Sequence, residues 1–495
     1  MRLYLALSVF FSIFTADYKG GTMEIAGREQ EQSLLNQLLI TKRPEFLAVY
    51  GRRRVGKTFL IRQVYQQQIV FQMTGIAHAT MAQQLANFFS VLSEVDRNGG
   101  QITAPKDWFA AFEMLKSYLQ RTESPQKKVV FFDELPWIDT ARSNFLSALE
   151  HFWNAWASNR SDILLVVCGS AASWMINKLI NDRGGLHNRV TQRMQLLPFT
   201  LQETEEFFHK NQILLDRYQI LQLYMAFGGV PFYLNGIRPG MSAFQEIDRL
   251  AFSPNGMLVT EYDNLYRSLF QQADRHIAVI EALAEKNKGL RREDIVAILN
   301  LKDGGSLTAI LQELETSGFI SRSYPFGKKV RDSLFRLTDP YSLFYLKFIK
   351  DQKSSGAGSW LSRIDSPAWR AWSGYAYESI CLQHISSIKK ALGISGVYTE
   401  ESSWVDKDRS VQIDLLIDRR DHVINLCEVK FAQQPFTLTK SERQSLEKKV
   451  FTFREESQTR KTVFPTLITT FGLNENVNSL GFVQNILTMD SLFGG

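Results

Sequence analysis

The sequence predicts an α/β protein: a parallel sheet flanked by helices, then a helical segment, a unit of three helices and a hairpin, and a second, smaller α/β domain. Three observations predict it. An apolar run, Phe46 to Tyr50, stops at Gly51 and opens GRRRVGKT, a full match to G-x-x-x-x-G-K-[ST] that passes into a helix. A second apolar run, Val129 to Phe132, ends on the acids Asp133 and Glu134, as a buried parallel strand does when it delivers carboxylates to its C-terminal edge. Far downstream, VQIDLLID and VINLCEVK read as strands that carry Asp414, Glu428 and Lys430.

The chain has 495 residues, 44% hydrophobic and 22% charged, which is a globular composition on a chain too long for one core. A net charge of +6 and a pI near 9.0 permit an anionic partner without requiring one. The three cysteines, Cys168, Cys381 and Cys427, form no C-x-x-C pair, so neither a disulfide framework nor a zinc site is expected, and a reducing, cytoplasmic setting is. At the N-terminus, Leu3 to Phe14 looks like the hydrophobic region of a signal peptide, but a small-x-small cleavage site is poorly met and Met23 directly precedes the first domain residue. We read residues 1–22 as an over-extended start, with a signal or membrane anchor as the alternative. No later apolar stretch is long enough to span a membrane, so no stable membrane partner is expected.

Residues 23–205 form the first domain. A helix with leucines at helical spacing follows Gly27, and Ile69 to Thr74 reads as a strand. Thr80 to Val95 and Trp108 to Gln120 read as amphipathic helices, and Ile163 to Cys168 as a strand ending in Gly169 and Ser170. In the loop formed by Gly51, Arg52, Arg53, Arg54, Val55 and Gly56, backbone amides and the following helix N-terminus converge on one spot that suits a polyphosphate. Lys57 would neutralise the β and γ phosphates of ATP, and Thr58 would hold Mg²⁺. Asp133 would hold the Mg²⁺ shell and Glu134 would orient or deprotonate the attacking water. Ser170 either senses the γ-phosphate or caps a helix.

These motifs come with the opening GRE, CGSAASWM, LLPF at Leu196 to Phe199 and FGGVPFYL at Phe227 to Leu234. Together they resemble the archaeal and bacterial ATPase family of the AAA+ and STAND-like P-loop NTPases, from about Glu24 to Arg267. The resemblance implies a P-loop NTPase sheet with Walker A and Walker B motifs, followed by a helical lid at 206–270. It implies that Gly228, Gly229 and Pro231 lie near the nucleotide base. Between the strand and LLPF sit Arg183, Arg189 and Arg193, of which Arg189 is our candidate for an arginine finger acting within or between subunits. Such relatives include both rings and monomeric switches, so a homo-oligomer stays open.

From residue 271 to 350, Arg275 to Glu285, Arg292 to Leu299 and Ser306 to Thr316 read as short helices. A hairpin turning near Phe326 to Lys328 follows. The order resembles a winged helix-turn-helix, with Lys328, Lys329 and Arg331 on the wing. The third helix carries two glutamates and no lysine or arginine, which favours a structural or protein-contacting role at least as much as groove reading. Residues 351–368 read as a linker, rich in glycine and serine at their start.

In residues 369–495 the order is a helix carrying Glu378, strands at Val397 to Trp404, Val411 to Asp418 and Val423 to Lys430, a helix from Leu438 to Phe453 and a strand at Val463 to Thr470. Glu428 and Lys430 lie on one face of their strand, and an antiparallel partner brings Asp414 to them. Two carboxylates, Asp414 and Glu428, could bind Mg²⁺ or Mn²⁺, with Glu378 as a further ligand and Lys430 activating water for attack on a phosphodiester. The pattern resembles the PD-(D/E)xK nuclease superfamily, with Ile413 where the proline would stand, and implies a restriction-endonuclease-like fold. The resulting expectation is an ATPase whose nucleotide state controls a nuclease acting on DNA rather than RNA. The alternative is a nucleotide-dependent signalling or scaffold switch whose last domain binds nucleic acid or protein without cleavage.

Overall fold

The computed structural model describes residues 24–96, 103–180, 188–286, 288–351, 358–408 and 410–494. The expectations for Leu3 to Phe14 and for Arg183 lie outside the described residues.

The first sheet contains β1 (Glu45–Tyr50), β2 (Ile69–Thr74), β3 (Lys128–Asp133), β4 (Ile163–Gly169) and β5 (Gln192–Gln195). Their spatial order is β2-β3-β4-β1-β5, and every neighbouring pair is parallel. β3 and β4 are buried at every position, which is why they read as unbroken apolar runs: helices cover both faces of the sheet. One face packs on Phe88, Trp108, Phe112, Phe145 and Phe152, the other on Leu35, Leu38, Leu60 and Ile61. Because β4 lies between β1 and β3, its C-terminal end emerges between the glycine-rich loop and the acid pair. β5 was not expected, since only Met194 of its four residues is buried and no run or alternation announces it.

Five helices follow, Leu201–Lys210, Arg217–Phe227, Pro231–Leu234, Ala243–Ala251 and Glu261–Leu269. Every residue of the second from Ile220 to Phe227 is buried, because it contacts neighbours on all sides, including the helices Pro340–Phe348 and Pro367–Gln383.

The next unit has helices Ala273–Ala284, Arg292–Ile298 and Gly305–Thr316, with short strands β6 (Leu290–Arg291), β7 (Ile320–Ser323) and β8 (Leu334–Leu337). The strands are antiparallel in the order β6-β8-β7. Its third helix packs against Ala172–Trp174 of the first domain, and the Gln195 amide donates to the Thr316 carbonyl at 3.0 Å. The hairpin tip is docked as well. The Phe326 N–H donates to the Ser403 carbonyl at 2.8 Å and its ring lies 5.3 Å from that of Phe453.

The linker expected at 351–368 is corrected for its described part. Trp360 is 1% exposed and stacks on Phe252 at 5.1 Å. The Asp248 carboxylate accepts from the Gly358 and Trp360 N–H groups at 2.7 and 2.8 Å. A single large aromatic with a buried place to go outweighs the local glycine and serine content.

The last domain opens with the helix Pro367–Gln383 and continues through β9 (Thr399–Val405), β10 (Gln412–Arg419), β11 (Val423–Lys430), β12 (Phe436–Thr437), the helix Lys440–Ser457, β13 (Thr462–Thr469), β14 (Leu473–Asn474) and β15 (Asn485–Leu487). Its main sheet runs β15-β13-β11-β10-β9, antiparallel from β9 to β11 and parallel from β11 to β15. One hydrophobic core takes in residues of the helical segment, the three-helix unit and this domain, from Leu201 to Phe493.

Candidate nucleotide site and a second acidic cluster

The glycine-rich loop leaves β1 by a turn that only glycine fits. Gly51 has φ of 149° and a side chain there would stand 2.1 Å from the Leu196 carbonyl oxygen, which β5 brings alongside. Gly56, at φ of 92°, then starts the Lys57–Val64 helix. Lys57 is 5% exposed and its Nζ donates to the Gly51 and Arg52 carbonyls, each at 2.9 Å, and to Ser170 Oγ at 3.2 Å. Thr58 Oγ1 donates to Asp133 Oδ2 at 2.9 Å.

Glu134 sits just past β3 in a left-handed conformation, φ 48°. Its two carboxylate oxygens accept from the Ser170 N–H at 3.2 Å and the Ser170 hydroxyl at 2.5 Å. Ser170 thus touches both Lys57 and Glu134, and the short helix after it has no side-chain cap. Burial pushes the Asp133 carboxyl up, Glu134's charge adds to that, and the Thr58 hydroxyl opposes it. The hydroxyl and carboxylate of Thr58 and Asp133 are hard oxygen donors side by side, and this donor set fits Mg²⁺.

The loop arginines do something the sequence did not indicate. Arg52 makes an ion pair with Asp339, both side chains 1% exposed, and its guanidinium lies 4.7 Å from the centre of the Phe319 ring. Burial opposes the Arg52 charge, but Asp339 together with Tyr233 and Tyr266 outweighs it and holds the guanidinium protonated. Arg54 pairs with Glu261 and lies 4.2 Å from the centre of the Phe232 ring, while the Tyr233 hydroxyl donates to Glu261 at 2.9 Å. Pro231 begins the helix that holds Phe232 and Tyr233, so the FGGVPFYL segment is brought to the loop. Val55 is buried and Arg53 half-buried in the same turn.

Arg189 needs correction as a finger within the subunit. Two residues later the Thr191 N–H donates to the Phe46 carbonyl at the start of β1, so Arg189 stands by the N-terminal edge of the sheet, and the loop lies beyond the C-terminal edge. It is exposed.

In the last domain the structure brings the predicted residues together but pairs them with cations. Asp414 and Glu428 lie one step past the Leu415–Cys427 pair in the β10–β11 register. Glu428 accepts from Lys430 Nζ at 3.0 Å on one oxygen and from Lys449 Nζ at 2.7 Å on the other. Burial works against the charge of Glu428, yet the two lysines hold its carboxyl below the usual range. Glu378 accepts from Arg336 of β8 at 2.8 Å. Burial, then the nearby Asp414, pushes the Glu378 carboxyl up to about 7. Asp414 accepts from the Gln412 amide at 2.6 Å. Among the described residues no group of three or more His, Cys, Asp or Glu side chains is arranged to hold a metal. In this arrangement lysines take both Glu428 oxygens. Sequence reasoning missed Arg336, Lys449, Asp339 and Glu261. Lys449 lies in a charged helix where nothing sets it apart, and the other three act across elements distant in sequence.

Residues 25–237 match the model of a family described as an ATPase domain predominantly from Archaea. This stretch is similar to that ATPase domain, and it carries the G-x-x-x-x-G-K-[ST] loop. It contains Gly51, Lys57, Thr58, Asp133, Glu134, Ser170 and Pro231, and the acidic cluster lies outside it. An uncharacterized protein of Methanocaldococcus jannaschii is 24% identical over 408 residues, which cover 82% of this chain and 87% of that protein. Among solved structures, a Walker-type ATPase of Pyrococcus abyssi aligns with a TM-score of 0.47 at 17% identity, covering 67% of this chain and 99% of that one. The Aeropyrum pernix ORC2 protein, solved as ADPNP–ADP complexes, aligns with a TM-score of 0.39 at 16% identity, covering 67% and 95%. No helix among the described residues is long and apolar enough to cross a membrane.

Proposed function

We propose that this chain binds and hydrolyses ATP with Mg²⁺ in the ATPase domain and that nucleotide state controls a C-terminal metal-dependent nuclease acting on DNA. What supports the first half is the string of contacts Lys57–Ser170–Glu134 beside Thr58–Asp133. The loop amides and Lys57 bind the phosphates, with Lys57 exchanging the Gly51 and Arg52 carbonyls for phosphate oxygens. Thr58 and Asp133 hold Mg²⁺, which neutralises phosphate charge when bound. Glu134, anchored by Ser170, orients the attacking water and accepts its proton.

What supports the second half is the gathering of Asp414, Glu428, Lys430 and Glu378 at one place on a sheet and its covering helix. A second reading is favoured by the pairing of Glu428 with Lys430 and Lys449: a domain that binds nucleic acid or protein and does not cut.

The test is DNA cleavage with Mg²⁺ or Mn²⁺, with and without ATP, by wild type, Lys57→Ala and Lys430→Ala. We expect Lys57→Ala to lower ATP turnover about 100-fold or more, the scale of losing one electrostatic group at a transition state. We expect Lys430→Ala to turn over ATP but not to cut. Intact ATP turnover with no cleavage by any protein would move the conclusion to the second reading.

A further inference from the structure

The two sites are joined by one short stretch of chain, residues 336–339. Its first residue, Arg336, is 13% exposed and pairs with Glu378. Its last, Asp339, is buried against Arg52, the residue that follows Gly51 in the phosphate loop. Between them the Thr338 carbonyl accepts from the Gln383 amide at 2.9 Å. The Thr338 and Asp339 N–H groups both donate to the Phe319 carbonyl, at 2.9 and 3.1 Å. We propose that this connection is a lever between the sites: Arg336 is the cation that closes the acidic cluster, and Arg52 moves it through Asp339 when the phosphate loop fills. The proposal rests on the reading above, in which nucleotide state controls the last domain.

The stiffness of the connection supports the lever. Phe335 and Leu337 are buried on either side of Arg336. Asp339 is fixed at both oxygens, Oδ1 on Arg52 and Oδ2 on the Ser342 N–H at 2.9 Å and hydroxyl at 2.6 Å. Those Ser342 bonds cap the Pro340–Phe348 helix. A fully buried ion pair does not separate on one side alone, because each partner would become an unpaired charge away from water. Arg52 and Asp339 therefore travel together. The input is equally direct. Lys57 Nζ bonds the carbonyl of Arg52 itself, so a phosphate that draws Lys57 away releases the backbone of the residue that grips Asp339.

Charge supports the output. With Arg336 in place, Arg336, Lys430 and Lys449 stand against Glu378, Asp414 and Glu428. Withdrawing Arg336 leaves Glu378 beside Asp414 without its cation, and the pair then takes up a proton or another cation. A divalent metal and Arg336 then compete for the place beside Glu378 and Asp414.

The experiment uses the full chain without nucleotide and follows free Mn²⁺ by electron paramagnetic resonance during titration. Wild type, Arg336→Gln, Asp339→Asn and the double variant Arg336→Gln with Asp414→Asn are compared. We expect Arg336→Gln and Asp339→Asn each to bind Mn²⁺ about tenfold more tightly than wild type, and the double variant to lose the gain. Because Asp339→Asn can fail to fold, amide hydrogen exchange of wild type is measured in parallel, and ATP should speed exchange in residues 334–342 in wild type but not in Lys57→Ala. Unchanged Mn²⁺ binding in Arg336→Gln, or exchange in 334–342 that ignores ATP, overturns the lever. Absence of DNA cleavage with the Mn²⁺ and exchange effects intact would instead remove the nuclease reading and leave the lever standing.

Discussion

Ser170 stands where three parts of the ATPase domain meet, accepting from Lys57 and donating to Glu134 through one hydroxyl. Removing that hydroxyl leaves Thr58–Asp133 untouched but takes one partner from Lys57 and leaves Glu134 held by the backbone N–H alone. A hydrogen bond to a charged group contributes about 1.5–3 kcal/mol, so Ser170→Ala should slow ATP turnover by about 10- to 100-fold. ATP affinity, read by equilibrium titration, should stay within about threefold, a change under 1 kcal/mol. Unchanged turnover would show that Glu134 needs no anchor. At this scale the sequence was readable wherever backbone geometry dictates the residue type. Gly51 and Gly56 are required by their φ angles, and Lys57, Thr58, Asp133 and Glu134 follow from a loop between strand and helix. It was unreadable where two side chains meet across distant segments. Nothing near Arg336 or Asp339 indicates Glu378 or Arg52.

Strands were readable in proportion to their length. β2 and β11, of six and eight residues, have the bounds expected from pattern, while β5 and β15, of four and three, are too short to show a period. The helix Lys440–Ser457 starts later than expected because Thr439 and Glu442 form a capping box. The segment from 358 failed for a different reason: its surroundings have the composition of a linker, and its structure depends on Asp248, a residue far upstream. Asp248→Ala would leave the Gly358 and Trp360 N–H groups without their acceptor. Each buried donor left unpaired costs about 1–3 kcal/mol. The expected result is faster limited proteolysis within 358–366, with ATP turnover unaffected. Resistance equal to wild type would mean that Trp360 alone holds the segment.

The whole molecule is tied together by contacts that do not respect the domain order of the sequence. His384, 3% exposed, is one of them. Its Nε2 accepts from the Leu201 N–H at 3.1 Å and its Nδ1 lies 2.8 Å from the Ile380 carbonyl, so the neutral ring carries its proton on Nδ1. Protonating Nε2 would set two N–H groups against each other. Burial holds the His384 pKa below the ordinary histidine value. The folded state then binds fewer protons than the unfolded one below about pH 6.5, and stability is lost as pH falls through that window, by at most about 1.4 kcal/mol per pH unit. In His384→Gln the difference between denaturant midpoints at pH 7 and pH 5.5 should shrink; an equal difference would exclude this group as the acid-sensitive one.

The packing of residues 489–493 has a consequence for synthesis. Met489, Leu492 and Phe493 are buried in the shared core, and Arg217 reaches both Asp490 and the Phe493 ring. Residues 489–493 also contact the helices Leu201–Lys210 and Arg217–Phe227. Domains ordinarily complete themselves as they emerge from the ribosome, N-terminal first. Here the sheet of the ATPase domain can do so, but the helices beside it keep an uncovered apolar face until a segment translated far later has come out. The interval before those last residues emerge is when this protein most needs protection from aggregation.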